Sequence, residues 1–77
     1  MKVSPQACDR IRIEMVRCGY TAEALSLRTM ISPTVLRGIL VGRAETIGTR
    51  NLCALASAFG YTAADFADLL CDPLGSI

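Results

Sequence analysis

Residues 21–42 read TAEALSLRTMISPTVLRGILVG, and they carry the clearest structural signals in the chain. It holds two apolar segments of helical length, and each follows a hydroxyl residue, Thr21 or Ser32, that can cap free backbone amides. Pro33 suits the first turn of the second segment, and Gly42 suits its end. The stretch therefore predicts two short helices joined by a tight connection, which is the layout of a helix-turn-helix.

The apolar residues of this stretch predict how the two helices pack. One set of side chains is expected to face inward on helical spacing. Its members are Leu25, Ser26, Met30, Ile31, Leu36 and Ile39. With these residues inside, Thr34, Val35 and Arg37 should project outward together from the second helix of the pair.

Start and stop signals elsewhere in the chain extend the prediction to five helices. The expected helices cover about residues 5–18, 22–29, 49–59 and 63–71, together with the one that runs from Pro33 to Gly42. The polar stretch 43–50 is interpreted as a loop with Ile47 as its apolar anchor. No useful β alternation occurs, so we predict one all-α domain over residues 1–77, with a core at about 5–71 and a short tail at 72–77.

The tetrapeptide Gly-Tyr-Thr-Ala occurs twice, at residues 19–22 and 60–63. In each copy the glycine suits the left-handed end of one helix, and the threonine suits the cap of the next. Two copies are too few for a repeat architecture. We interpret them as local chemistry used twice.

Length and composition favour a small domain that associates with a second copy of itself. The chain has 77 residues, of which 52% are hydrophobic. A chain this short buries a limited core, so part of this apolar surface is expected at a homodimer interface. No apolar run approaches the roughly 20 residues of a membrane span, and the N-terminus lacks the apolar core of a signal peptide. We therefore expect a cytoplasmic protein without membrane contact.

The net charge of +1 conceals an uneven distribution. Residues 1–50 carry all 8 Lys and Arg and have a net charge of +4, whereas residues 51–77 have a net charge of −3. Such a split favours an anionic partner at the N-terminal part. Ordinary surface charge is the alternative.

The cysteines and the absence of histidine bear on metal and enzyme chemistry. Cys8, Cys18, Cys53 and Cys71 form no CxxC pair, so the usual zinc spacings cannot be assembled, and no metal or cofactor is expected. We expect the first three in the core and Cys71 as an exposed thiol, with a redox role as the alternative. No nucleophile–base pair or phosphate-binding glycine loop is present, so we do not expect an enzyme. No small-molecule ligand is expected either, because so small a core leaves no room for a pocket.

Three groups of residues share their order and spacing with a known family. They are Gly19-Tyr20-Thr21 with Glu23 and Leu25; Ile31-Ser32 with Leu36, Ile39 and Gly42; and the run LCALASAFG at residues 52–60. Over about residues 10–70 the chain resembles the lambda-repressor and Cro-like helix-turn-helix family, also called the Cro/CI or XRE type. It departs from that family at Ala22, Ser26 and Met30, where glutamine, alanine and the turn glycine are usual. The resemblance implies a five-helix lambda-repressor-like bundle whose third helix enters the major groove of double-stranded DNA.

The resemblance also implies that the early, outward residues of the third helix read base edges. These residues are Pro33, Thr34, Val35, Arg37 and Gly38. Thr34 can donate or accept a hydrogen bond, Val35 can touch a thymine methyl, and Arg37 can pair with guanine O6 and N7. The alternatives are a solvated surface role for Arg37 and a packing or dimer role for Val35. Gly38 allows either a close approach of its backbone to DNA or a helix kink.

Residues around this helix are candidates for phosphate contacts, through cationic groups, hydroxyls or helix-end amides. They are Thr21, Ala22, Arg28, Ser32, Arg43, Thr46, Thr49 and Arg50. Arg12 and Arg17, on the first helix, are interpreted as ordinary solvated residues.

A homodimer would present two reading helices to a near-palindromic operator. We assign the surplus apolar residues near the C-terminus to its interface, with an internal core as the alternative. They are Phe66, Leu69, Leu70, Leu74 and Ile77.

The sequence thus predicts a sequence-specific, DNA-binding transcriptional regulator. Its small size favours an autorepressor of its own operon, as in phage Cro-like proteins or anti-CRISPR-associated regulators. The alternative is a protein-interaction module of the same fold, antitoxin-like or an adaptor, that binds a partner through Leu40, Val41 and the tail.

Overall fold

A computed structural model of the chain describes residues 4–43 and 46–71. Its regular elements are five α-helices, α1 (Pro5–Cys18), α2 (Ala22–Thr29), α3 (Pro33–Leu40), α4 (Thr49–Phe59) and α5 (Ala63–Cys71). The all-α, five-helix prediction is confirmed, and the expected helix bounds agree closely with the observed ones. None of the helices in the described part of the chain is long and apolar enough to cross a bilayer.

Hydroxyl side chains start four of these helices. Ser4, Thr21, Ser32 and Thr62 each accept a hydrogen bond from the backbone amide three residues later, at 3.1 to 3.3 Å. Such a cap satisfies one of the amides that a helix start leaves without a partner. Helix α4 differs, because the residue before its first turn is Gly48, which has no side chain to cap the amides.

Left-handed residues end three of the helices. Gly19 (φ +74°) ends α1 and Gly60 (φ +86°) ends α4, as their sequence positions predict. Met30 (φ +61°) ends α2 in the same conformation, at the position where the resembling family has glycine. The prediction that Met30 faces inward is wrong: α2 ends at Thr29, so helical spacing no longer directs the Met30 side chain towards the core, and it is 88% exposed.

One hydrophobic core receives residues from all five helices and from the loop before α4. Its members include Ile11, Leu25, Leu36, Ile39, Ile47, Leu55, Phe66 and Leu70. Helix α5 packs against both α1 and α4 and so completes this core. The loop anchor expected at Ile47 is confirmed.

The same core corrects the predicted dimer surface. Phe66 is fully buried and Leu70 almost so inside the domain itself, so neither is available to a second subunit. Leu69 is half-buried and packs against the core. Leu74 and Ile77 lie outside the described residues. The alternative reading, an internal core, is the correct one for Phe66 and Leu70.

The two Gly-Tyr-Thr-Ala copies connect α1 to the end of α4. The Tyr20 hydroxyl, after α1, donates to the Ala58 carbonyl of α4 at 3.2 Å. The Tyr61 hydroxyl, after α4, donates to the Glu14 carboxylate of α1. Each tyrosine therefore reaches the helix that precedes the other copy.

Glu14 is a buried carboxylate, 4% exposed, at the centre of this connection. Arg17 donates from Nε to both carboxylate oxygens, at 2.8 and 3.0 Å, and from Nη2 to the Phe59 carbonyl at 3.0 Å. The hydrogen bond from Arg17 lowers the pKa of Glu14, and the hydrogen bond to Glu14 raises the pKa of Tyr61. The prediction of an ordinary solvated Arg17 is wrong, because it partners this buried charge.

The cysteines occupy two different environments. Cys8 is buried, as predicted, whereas Cys18 and Cys53 are exposed, as Cys71 is. Cys18 and Cys53 sit on the solvent sides of α1 and α4, so the expectation that they lie in the core is wrong. The prediction of an exposed Cys71 is confirmed.

Candidate nucleic-acid interface

Helices α2 and α3 pack against each other, and side chains of α2 fix the connection between them. The Ser26 hydroxyl, which is buried, donates to the Ile31 carbonyl at 2.6 Å. The Thr29 hydroxyl donates to the Leu25 carbonyl at 2.7 Å and accepts from the Ile31 amide at 3.4 Å. These bonds satisfy polar groups at the helix end and hold the turn in one geometry.

Helix α3 has one side in the core and the other in solvent. Leu36 and Ile39 are each 1% exposed, and they fix the rotation of the helix about its axis. Thr34, Val35 and Arg37 are all exposed. The structure thus gives these three residues the outward placement that the sequence predicts.

Helix α1 holds the C-terminal end of α3 through two adjacent carbonyls. The buried Cys8 thiol donates to the Ile39 carbonyl at 3.1 Å, and Arg12, one turn later, donates from Nη2 to the Leu40 carbonyl. Carbonyls at a helix C-terminus lack partners within the helix, and a cation there also faces the negative end of the helix dipole. Arg12 therefore helps to hold the C-terminal end of α3 in position. The interpretation of Arg12 as an ordinary solvated residue is wrong.

A shallow depression crosses the outward face of α3. It is lined by Thr34, Arg37, Gly38, Val41 and Arg43. The chain turns back after the helix, and the Arg43 amide donates to the Gly38 carbonyl at 2.9 Å. The structure thereby brings together three predicted base readers and one predicted phosphate contact.

A second depression lies between the α2–α3 connection and the start of α4. Three residues predicted for DNA contact line it: Ser32, Val35 and Arg50. Sequence reasoning missed Met30, Asn51 and Ala54, which line it too. Ala54 could have been found, because it lies four residues after Arg50 on α4, and Asn51 lies three residues before Ala54.

The remaining predicted contacts line neither of these depressions. All are exposed, and they are distributed over helix ends and the loop. They are Pro33, Thr21, Ala22, Arg28, Thr46 and Thr49. Pro33 instead borders a small apolar hollow with Leu27 of α2.

The arginines of this face have no acidic partner within residues 4–43 and 46–71. The only ion pair in that part of the chain is Arg17–Glu14, at 2.8 Å. Arg28, Arg37, Arg43 and Arg50 are all exposed, so their charge faces solvent. Guanidinium groups that have no carboxylate partner among the described residues and lie near an exposed helix are suited to bind phosphates and guanine edges.

The described residues contain no cluster of side chains that could hold a metal ion. No three side chains of the cysteine or carboxylate type converge there.

No protein-family model matches the chain, and no curated protein or solved structure shows significant similarity to it. A function must therefore be inferred from the residues of the site.

Proposed function

We propose that the protein is a sequence-specific DNA-binding regulator in which α2 and α3 act as a helix-turn-helix. One observation carries this proposal: α3 is anchored by Leu36 and Ile39 while Thr34, Val35 and Arg37 face solvent. A rigid helix with an exposed polar and cationic side has the width that the major groove of B-DNA admits. The bonds that fix the turn supply the rigidity that such a reader needs.

The side chains on the outward face match the chemistry of base edges. The Arg37 guanidinium can donate two hydrogen bonds to guanine O6 and N7. Thr34 can donate or accept, and Val35, 47% exposed, can contact a thymine methyl without leaving its place beside α4. Base contacts of this kind specify sequence.

Residues at the two ends of α3 supply phosphate contacts. Arg50 and the Ser32 hydroxyl lie together at the N-terminal end, and Arg43 lies beyond the C-terminal end. Cations on both sides of a groove-bound helix can reach the two DNA strands that border the groove. These contacts orient α3 and make affinity depend on salt.

We propose further that the regulator binds an inverted repeat as a homodimer and represses its own promoter by occupying it. Two copies related by a twofold axis would place their reading helices about 34 Å apart, one helical turn of DNA. The interface must use a surface other than Phe66 and Leu70, because both are internal. A reporter fused to the native promoter should fall in activity when the protein is supplied.

The test is a mobility-shift assay with selection from a randomised duplex pool. We expect Arg37→Ala to weaken the selected duplex by about 1–3 kcal/mol and to relax the preference at one base pair. Arg43→Ala is the matched control, because it removes the same charge and should weaken all sequences alike. Absence of a shift at low salt, or equal affinity for all sequences in wild type, would refute the proposal.

A protein-interaction module is the second candidate, and one observation favours it. Leu27 of α2 and Met30 at the end of α2 are 80% and 88% exposed and lie three residues apart, and Met30 also borders the second depression beside Val35. Large apolar side chains this exposed are typical of contact surfaces when they cluster. If this candidate is correct, Leu27→Asp should abolish binding to the product of a neighbouring gene, as measured by calorimetry. DNA binding should then be the same in the variant as in wild type, or absent from both.

A further inference from the structure

Gly38 is placed where neither packing nor backbone geometry requires a glycine. It lies inside α3, its φ is helical rather than left-handed, and a Cβ added to it would meet nothing within 4 Å. Glycine weakens a helix interior relative to alanine. The bare backbone therefore leaves an unfilled notch in the depression that Gly38 lines on the outward side of α3.

The notch has an apolar wall and a cationic rim. Thr34, one turn before Gly38, and Val41, one turn after it, stand on either side of the glycine, and Arg37 and Arg43 complete the lining. Val41 is 52% exposed, so its methyl groups are accessible from outside. A small apolar group could reach the helix backbone here while an anionic or electron-rich group lay against the arginines.

We propose that this notch receives the C5-methyl group of a pyrimidine in the major groove, next to a guanine read by Arg37. The inference rests on the DNA-binding function proposed above. On the major-groove edges of the bases, the thymine methyl is the one apolar protrusion, and 5-methylcytosine carries the same group. The arginines favour DNA over an apolar protein side chain as the occupant, because their charge complements phosphates and guanine oxygens.

The neighbouring guanine follows from the position of Arg37. Arg37 precedes Gly38 in the helix and lines the same depression, so its guanidinium reaches the base beside the one that fills the notch. Uracil or cytosine would leave the notch empty. Gly38 is therefore a specificity-determining residue for a methylated pyrimidine beside guanine.

The experiment begins with the duplex that wild-type protein selects from a randomised pool. Each thymine of that duplex is replaced in turn by uracil, which removes one methyl group and keeps the base pairing. We expect one thymine in each half-site, adjacent to a guanine, whose replacement weakens binding about fourfold, the effect of one buried methyl. Replacing it by cytosine should weaken binding further, and 5-methylcytosine should restore part of the loss.

Gly38→Ala is the matched protein variant, because its methyl group would occupy the space above the Gly38 backbone that the pyrimidine methyl is proposed to take. We expect weaker binding to the thymine duplex and equal affinity for the thymine and uracil duplexes, together with a higher Tm, since alanine favours the helix. A structural defect would lower Tm instead. This inference alone is overturned if uracil substitution has no effect in a selected duplex. It is also overturned if Gly38→Ala still discriminates thymine from uracil. Failure to select any duplex overturns both this inference and the DNA-binding function.

Discussion

The thiol of Cys8 in α1 donates a hydrogen bond to the carbonyl of Ile39 in α3, with 3.1 Å between Sγ and the oxygen. Arg12 donates to the next carbonyl, that of Leu40. Two consecutive turns of α1 thus hold the C-terminal end of the proposed reading helix. The orientation of that helix depends on residues that do not lie on its outward face.

Arg12→Ala should weaken DNA binding although Arg12 does not line the outward face of α3. Loss of the hydrogen bond to Leu40 should lower the free energy of unfolding by about 1 kcal/mol and the affinity for the selected duplex several-fold. The slope of log affinity against log salt should remain that of wild type, because no phosphate contact is lost. Urea unfolding and titrations at several salt concentrations measure both quantities.

The control for this prediction is Arg43→Ala. It removes a proposed phosphate contact, so the salt slope should fall by about one. If Arg12→Ala reduces the salt slope as Arg43→Ala does, Arg12 contacts the DNA directly. Its proposed role in positioning α3 is then refuted.

The exposure of the cysteines predicts their reactivity towards a thiol reagent. Cys18, Cys53 and Cys71 are exposed and should react rapidly in the native protein. Cys8 is buried and donates to Ile39, so it should react only as the domain opens. Titration with a chromogenic disulfide, with and without urea, counts the two classes, and Cys8→Ser should remove the slow class alone. Four rapid thiols in native buffer would contradict the placement of Cys8.

The Glu14–Tyr61 contact predicts how stability changes with pH. The hydrogen bond from Arg17 places the pKa of Glu14 below its ordinary value of 4.5. Its contribution to stability is therefore present above that value and is lost as pH falls through the lowered pKa. The pKa of Tyr61 lies above its ordinary value of 10.0, because its hydroxyl donates to Glu14. That contribution is present below pH 10.0 and is lost as pH rises through the raised pKa.

Two variants separate these contributions in urea unfolding followed across pH. Glu14→Gln should lose about 1–2 kcal/mol at neutral pH, a value that allows for the half-exposed Arg17, and should lose less on acidification than wild type. Tyr61→Phe should flatten the alkaline side and change the acid side less than Glu14→Gln does, because Arg17 lowers the pKa of Glu14 more than the hydrogen bond from Tyr61 does. An unchanged acid limb in Glu14→Gln would show that other carboxyl groups determine the acid sensitivity.

Met30→Gly should stabilise the domain. Met30 has a left-handed backbone and is 88% exposed, so glycine relieves backbone strain without removing packing. We expect a gain of about 0.5–1 kcal/mol in the free energy of unfolding. Gly19→Ala is the reciprocal control, since Gly19 has φ +74° and open space around it, and it should lose a similar amount. Lower stability of Met30→Gly would mean that the side chain of Met30 contributes through the second depression.

The helices and their ends could be predicted from the sequence because their causes are local. Ser32 caps the amide of a residue three positions later, and Gly60 adopts a conformation that other residues avoid. The inward sides of α3 followed from the spacing of Leu36 and Ile39 alone. The outward placement of the candidate site was a consequence of that spacing.

Other features depend on contacts between distant parts of the chain. Arg12 and Arg17 look like surface residues in sequence, and only the arrival of α3 and α4 gives them carbonyl partners. Phe66 and Leu70 looked like surplus apolar surface because composition does not say which helix will cover them. Cys18 is the opposite case, because its residue type and helical spacing predict burial in the core, whereas in the structure it is exposed to solvent.

The hydrogen bonds of Tyr20 and Tyr61 hold the framework of the domain separately from the outward face of α3. Tyr20 and Tyr61 join α1 to the end of α4 through Ala58 and Glu14, and no outward residue of α3 takes part. Exchange of the exposed side chains of α3 should therefore leave the framework standing. The side chains of the proposed DNA-binding face can therefore be changed without disturbing the bonds that hold the domain together.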